Sequence, residues 1–126
     1  METNQITHSI LNAAYKIHTE LGPGLLESAY EHCLAYELKE SGLFVELQKP
    51  LPLIYKEVHL ECGYRLDLFV NREVVVEVKS VDGIQDLHLA QTLTYLKLVE
   101  KEIGLIINFN VKSLKNGIKR VICSQN

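Results

Sequence analysis

The chain has 126 residues, 47% hydrophobic and 23% charged, with a formal net charge of −3 at pH 7 and a sequence pI near 5.9. That size and mix suit one globular domain over residues 1–126 that buries a real core, and they exclude tight nonspecific adhesion to nucleic acid through a basic surface. No run approaches the roughly 18 to 20 unbroken apolar residues of a membrane span, and METNQITHSI lacks a basic segment followed by an apolar block, so no membrane partner and a cytoplasmic location are expected.

Ile6, Ile10, Ala13, Ala14, Ile17 and Leu21 recur at helical spacing and predict an amphipathic helix over residues 5–20, stopped by Gly22-Pro23-Gly24. Leu26, Ala29, Tyr30, Cys33, Leu34 and Leu38 keep that period to about residue 40, where Ser41-Gly42 ends it. The period then changes. Residues 44–47, 51–55, 59–61, 64–70 and 74–81 are short, β-branched or aromatic runs punctuated by Pro50, Pro52, Gly63 and Asn71, which predicts an antiparallel meander. Beyond Asp82-Gly83, Leu89, Ala90, Leu93, Leu96 and Val99 predict a third helix, and residues 102–109 and 119–123 closing strands, with Asn116-Gly117 as a turn. The expected element order is roughly ααβββαββ. Cys33, Cys62 and Cys123 are odd in number and widely spaced, which suggests reduced thiols rather than a disulfide framework or a zinc site.

One hairpin carries charges inside apolar strands. Alternation puts Leu66, Leu68 and Val70 on one strand face and Arg65, Asp67 and Phe69 on the other; Val74, Val76 and Val78 share a face opposite Val75, Glu77 and Lys79. Matching the apolar faces fixes the register: Val70 pairs with Val74 around the loop Asn71-Arg72-Glu73, Leu68 with Val76 and Leu66 with Val78. Asp67 then lies opposite Glu77, with β-carbons about 4.5 to 5.5 Å apart, where like charges repel. A hard divalent cation such as Mg²⁺, which binds through one or two carboxylates plus water and phosphate, would offset that repulsion. Lys79, about 6.5 to 7 Å along the same face, would reach a bound water or a phosphate oxygen. The competing reading is a solvated hairpin face, since Glu-x-Lys alone is a weak signal.

At these residues the chain resembles the PD-(D/E)XK, or restriction-endonuclease-like, nuclease superfamily, whose motif is an Asp on one core strand and Glu/Asp-x-Lys on the next. Here it reads Asp67, nine intervening residues, then Glu77-Val78-Lys79, with Leu66 where a proline is expected. "GLLESAY", through Gly24, Glu27 and Tyr30, resembles the signature of the small bacterial GxxExxY family, and "GYRLDLFVNREVVVEVKS" and "HLAQTLTYLKL" look like its other blocks.

The resemblance implies an α/β fold, a single compact domain with a central mixed β-sheet flanked by helices. It also implies a Mg²⁺- or Mn²⁺-dependent nuclease acting on DNA in preference to RNA. Asp67, Glu77 and the Val78 carbonyl would be metal ligands, Lys79 the catalytic base or electrostatic stabiliser, and Glu27 an additional acid at the metal. Gln91 and Tyr95 resemble a Gln-x-x-x-Tyr element that contacts substrate. On local physics alone, Glu27 is equally well explained by the macrodipole of its helix, Tyr30 by packing of that helix on the sheet, and Tyr95 by the apolar stripe. Lys112, Lys115, Lys119 and Arg120 read as a solvated face more readily than as phosphate contacts. So short a chain has few elements for recognition, so a homodimer or a partner protein is expected to supply them. The rival class is a catalytically silent nuclease-fold module that binds nucleic acid or a protein.

Overall fold

The computed structural model describes residues 1–61 and 63–124; Cys62, counted among the reduced thiols above, lies outside them. The elements run α1 (Thr3–Leu21), α2 (Glu27–Glu40), β1 (Val45–Pro50), β2 (Leu53–Tyr55), β3 (Val58–Leu60), β4 (Arg65–Val70), β5 (Val74–Lys79), α3 (Asp86–Val99), β6 (Ile103–Asn108), a 3-10 turn (Leu114–Gly117) and β7 (Ile118–Ile122). Five strands form a mixed sheet in the order β1-β4-β5-β6-β7, and β2 pairs only with β3. The expected ααβββαββ order therefore holds for the main sheet, with the β2–β3 ribbon as an insertion.

The meander does not form. Strand β1 skips the ribbon and pairs antiparallel with β4, Val45 opposite Val70 and Leu47 opposite Leu68. The physical reason is burial: β4 and β5 are apolar on both faces and need covered neighbours, whereas Leu53–Leu60 carries too little apolar surface to join the core and stays largely exposed. Asn71 secures the detour, its N–H donating to the Phe44 carbonyl at 2.7 Å and its Oδ1 accepting the Phe44 N–H at 2.8 Å.

Strand β5 is central. It pairs antiparallel with β4 and parallel with β6, the latter through the α3 crossover. Val74, Val76 and Val78 join Leu68 and Val70 beneath α1 and α2, while Val75 and Phe69 pack with Tyr95 and Leu96 of α3. Helices thus cover both faces, which is why β5 reads as an almost unbroken apolar run. The stripe of α1 is buried through Ile6, Ile10, Ala13, Ala14 and Ile17, but Leu21 lies beyond the covered face at 45% exposure. Leu26, expected on the buried stripe of α2, precedes the helix as its N-cap and is 77% exposed. No helix among the described residues is long and apolar enough to cross a membrane.

Candidate active site

The register expected for the hairpin holds from its loop to Leu68 opposite Val76, and there the main-chain ladder stops. Asp67 and Glu77 take over the bonding with their side chains. The Asp67 N–H donates to Glu77 Oε2 at 3.0 Å, and the Val78 N–H donates to Asp67 Oδ2 at 2.8 Å. Leu66 and Val78 accordingly do not pair; Leu66 packs on the α3 side and Val78 on the α1–α2 side. The single-face assignment of Leu66 with Leu68 and Val70 is thereby corrected: alternation breaks at Asp67, where side-chain bonding replaces the ladder that enforces it.

Glu77 is 3% exposed. Burial, then the charge of Asp67, pushes its carboxyl from an ordinary 4.5 up to about 8. Asp67 is also raised, by burial above all, with the Val78 N–H and the nearby Lys79 charge opposing the rise. Lys79 ends β5, half-buried, and forms no ion pair within 4 Å with either acid among the described residues.

Helix α2 brings two further acids. Glu27, its first residue, accepts the Ser80 N–H at 3.0 Å through Oε2, and its charge reaches Asp67 strongly enough to raise that carboxyl. Glu31, one turn later, is buried and raised by desolvation and then by Asp67. Gln48 of β1 donates from Nε2 to Glu31 Oε1 and, at 3.5 Å, to Asp67 Oδ1. The sequence offered a clue to Glu31, four residues after Glu27 and hence on the same helix flank. Gln48 and Asn108 carried none. Asn108, buried beside Lys79 in the sheet, holds the chain after β5 through reciprocal bonds with Val81 at 3.1 and 3.0 Å.

The "GLLESAY" stretch fastens α2 to the end of β5. Tyr30 is fully buried, stacked on Phe109 at 4.3 Å, and its hydroxyl donates to the Gly22 carbonyl at 2.6 Å and accepts the Leu25 N–H at 3.1 Å. Gly24 sits at φ +97°, a conformation glycine adopts without penalty. Ser80 Oγ donates to the Leu25 carbonyl at 2.7 Å, closing the connection next to Lys79. Tyr30→Phe removes both loop bonds from a buried site and is expected to cost about 1 to 3 kcal/mol. Urea unfolding with an unchanged m-value would check this; a loss within error would mean that the hydroxyl does not secure the loop.

Tyr95 and Gln91 part company. Tyr95 is buried against Tyr64, ring centroids 6.5 Å apart, and its phenol is raised by burial and then by the charges of Glu77 and Asp67. Gln91 is exposed one turn earlier, with no side-chain hydrogen bond among the described residues. His88 caps α3, its Nδ1 accepting the Gln85 N–H at 3.0 Å. Lys112, Lys115, Lys119 and Arg120 are all exposed.

Among the described residues, no three His, Cys, Asp or Glu side chains converge as a ready ion cage. A shallow cleft of about 400 Å³ opens at the start of α2, lined by Leu25, Leu26, Glu27, Ser28 and Ser80. The roomier cleft of about 440 Å³ lies around Met1, Phe44 and the hairpin loop, at the opposite end of β5 from Lys79.

No curated protein and no solved structure matches the chain significantly. A family model of the PD-(D/E)XK nuclease superfamily matches residues 4–121, which takes in every element from α1 through most of β7. With Asp67 and Glu77-Val78-Lys79 brought together on adjacent strands of a mixed sheet between helices, the chain belongs to the PD-(D/E)XK nuclease superfamily.

Proposed function

We propose that the chain is a divalent-metal-dependent nuclease of the GxxExxY type that hydrolyses phosphodiester bonds of DNA in preference to RNA. The observation that carries this reading is an acid pair on adjacent strands, half-buried Asp67 and buried Glu77, that forms no ion pair within 4 Å among the described residues, with the charge of Lys79 nearby. The donor set fits Mg²⁺ or Mn²⁺: the hard oxygens of two carboxylates, which such ions accept when water and substrate phosphate complete the sphere. Asp67, Glu77 and the Val78 carbonyl would hold the ion, with Glu27 supporting it. When bound it would polarise the scissile phosphate and lower the pKa of a bound water.

The chain's own groups supply the rest. Lys79, half-buried at the end of β5, brings a positive charge that acts on both acids, and it stabilises negative charge gathering on a phosphate oxygen during in-line attack. Tyr95, buried on α3, lies within electrostatic reach of Glu77 and Asp67, and Gln91, exposed one turn away, is the residue of the pair that would touch substrate. Hydrolysis adds water across one P–O bond, the proton going to the departing oxygen. An acidic chain can act on a polyanion here because charge is met locally, by the ion and Lys79, rather than by a basic surface.

The silent-module reading also has an observation behind it: both carboxylates already accept main-chain N–H groups, a self-contained arrangement. Cleavage of labelled single- and double-stranded DNA and RNA in Mg²⁺, Mn²⁺ and EDTA, beside Lys79→Ala, separates the two. Metal-dependent cutting that falls by about 10²-fold or more in Lys79→Ala is expected. Identical traces for both proteins in every condition would sink the nuclease reading and leave the module.

A further inference from the structure

Gln48 is out of place in its strand. Its φ of 53° lies in the left-handed region, although β1 pairs with β4 on either side of it, Leu47 with Leu68 and Lys49 with Leu66. The gap in that ladder falls at Gln48, across from Asp67. A long unbranched side chain has no intrinsic reason to adopt this conformation, which persists only where the surroundings impose it and which clusters at functional sites.

The side chain shows what the distortion achieves. One amide nitrogen donates to Glu31 Oε1 and reaches Asp67 Oδ1 at 3.5 Å, while Asp67 Oδ2 is held by the Val78 N–H at 2.8 Å. Both Asp67 oxygens are thus addressed, one from each neighbouring strand. The donor is uncharged. A lysine or arginine at this position would cancel the negative charge by ion pairing, whereas a carboxamide separates Glu31 from Asp67 and leaves that charge for a cation.

We infer that Gln48 is a positioning residue that fixes the Asp67 carboxylate for cation binding, with buried Glu31 as its anchor. The inference rests on the metal-site reading above and extends it to two residues outside the family motif.

The test is calorimetric titration of Mn²⁺ into the full chain at pH 8, for wild type, Gln48→Met, Gln48→Gly and Glu77→Gln, with melting in EDTA alongside. Gln48→Met keeps the length and removes the N–H donors; Gln48→Gly also relieves the left-handed backbone. Both are expected to lose about 10- to 100-fold in Mn²⁺ affinity, the scale seen when a group that orients a metal ligand is removed. Gln48→Gly should meanwhile melt no lower than wild type. Affinities within twofold of wild type for both variants would overturn the inference, and so would a lower melting temperature in Gln48→Gly, which would make the side chain a folding element. Failure of the metal reading looks different: wild type and Glu77→Gln would then show the same absence of binding, and the role of Gln48 would fall with it.

Discussion

Asp67→Asn is expected to lower metal-dependent cleavage on the order of 10³-fold while leaving the metal-free protein at least as stable as wild type. Lewis-acid stabilisation of transition-state charge is worth several kcal/mol, and each 1.36 kcal/mol is a factor of ten in rate. Asparagine keeps an acceptor for the Val78 N–H that now donates to Asp67 Oδ2 at 2.8 Å. It removes the charge that raises both Glu77 and Glu31. Activity should therefore fall without a loss of fold, the pattern of a site whose ligands are held against their own repulsion. Turnover in Mg²⁺ and melting in EDTA at pH 8 check the two halves. A variant that cuts within a few-fold of wild type would remove Asp67 from the machinery, and one that melts well below it would show that this half-buried carboxylate stabilises rather than strains the fold.

How far the sequence reached depends on which force set each feature. The hairpin register could be read because a one-residue slip would bury charge, so the valine and leucine faces leave a single solution, and Val70 opposite Val74 and Leu68 opposite Val76 follow. The end of that register could not. It stops where the carboxylates of Asp67 and Glu77 capture N–H groups of the facing strand, a competition between side chain and main chain that alternation does not encode. The pairing of β1 with β4 was hidden for another reason. It is a non-local choice decided by which strands need covering on both faces, and neighbouring turn signals favoured the local meander.

The site divides in the same way. Asp67, Glu77 and Lys79 stood out as charges in apolar strands, and Glu27 and Tyr30 through the resemblance. Glu31 was masked because an acid on a helix ordinarily faces water, and only tertiary packing turns this one inward to 6% exposure. Gln48 has no signature at all: its importance lies in a φ of 53° that nothing in LQKP demands.

The metal-free protein is expected to lose stability as pH rises from about 4.5 to about 8, by a few kcal/mol, and Mn²⁺ is expected to restore it most at the alkaline end. The sign follows from proton binding. Glu77 has its folded carboxyl raised from an ordinary 4.5 to about 8, so between those values the folded state holds a proton that the unfolded state has released. Stability then falls with pH throughout that window and levels off above it. Asp67 and Glu31 are raised too and steepen the same slope. A cation reverses the balance, since it binds the ionised carboxylates and must displace the proton, so its stabilising effect grows towards pH 8. Melting temperatures from pH 5 to 9 in EDTA and in Mn²⁺ would trace two diverging curves, and Glu77→Gln would flatten the first and erase the gap between them. A metal-free curve that rises with pH would mean that Glu77 is ionised and paired in the folded chain, and the case for a cation between these two acids would lose its physical basis.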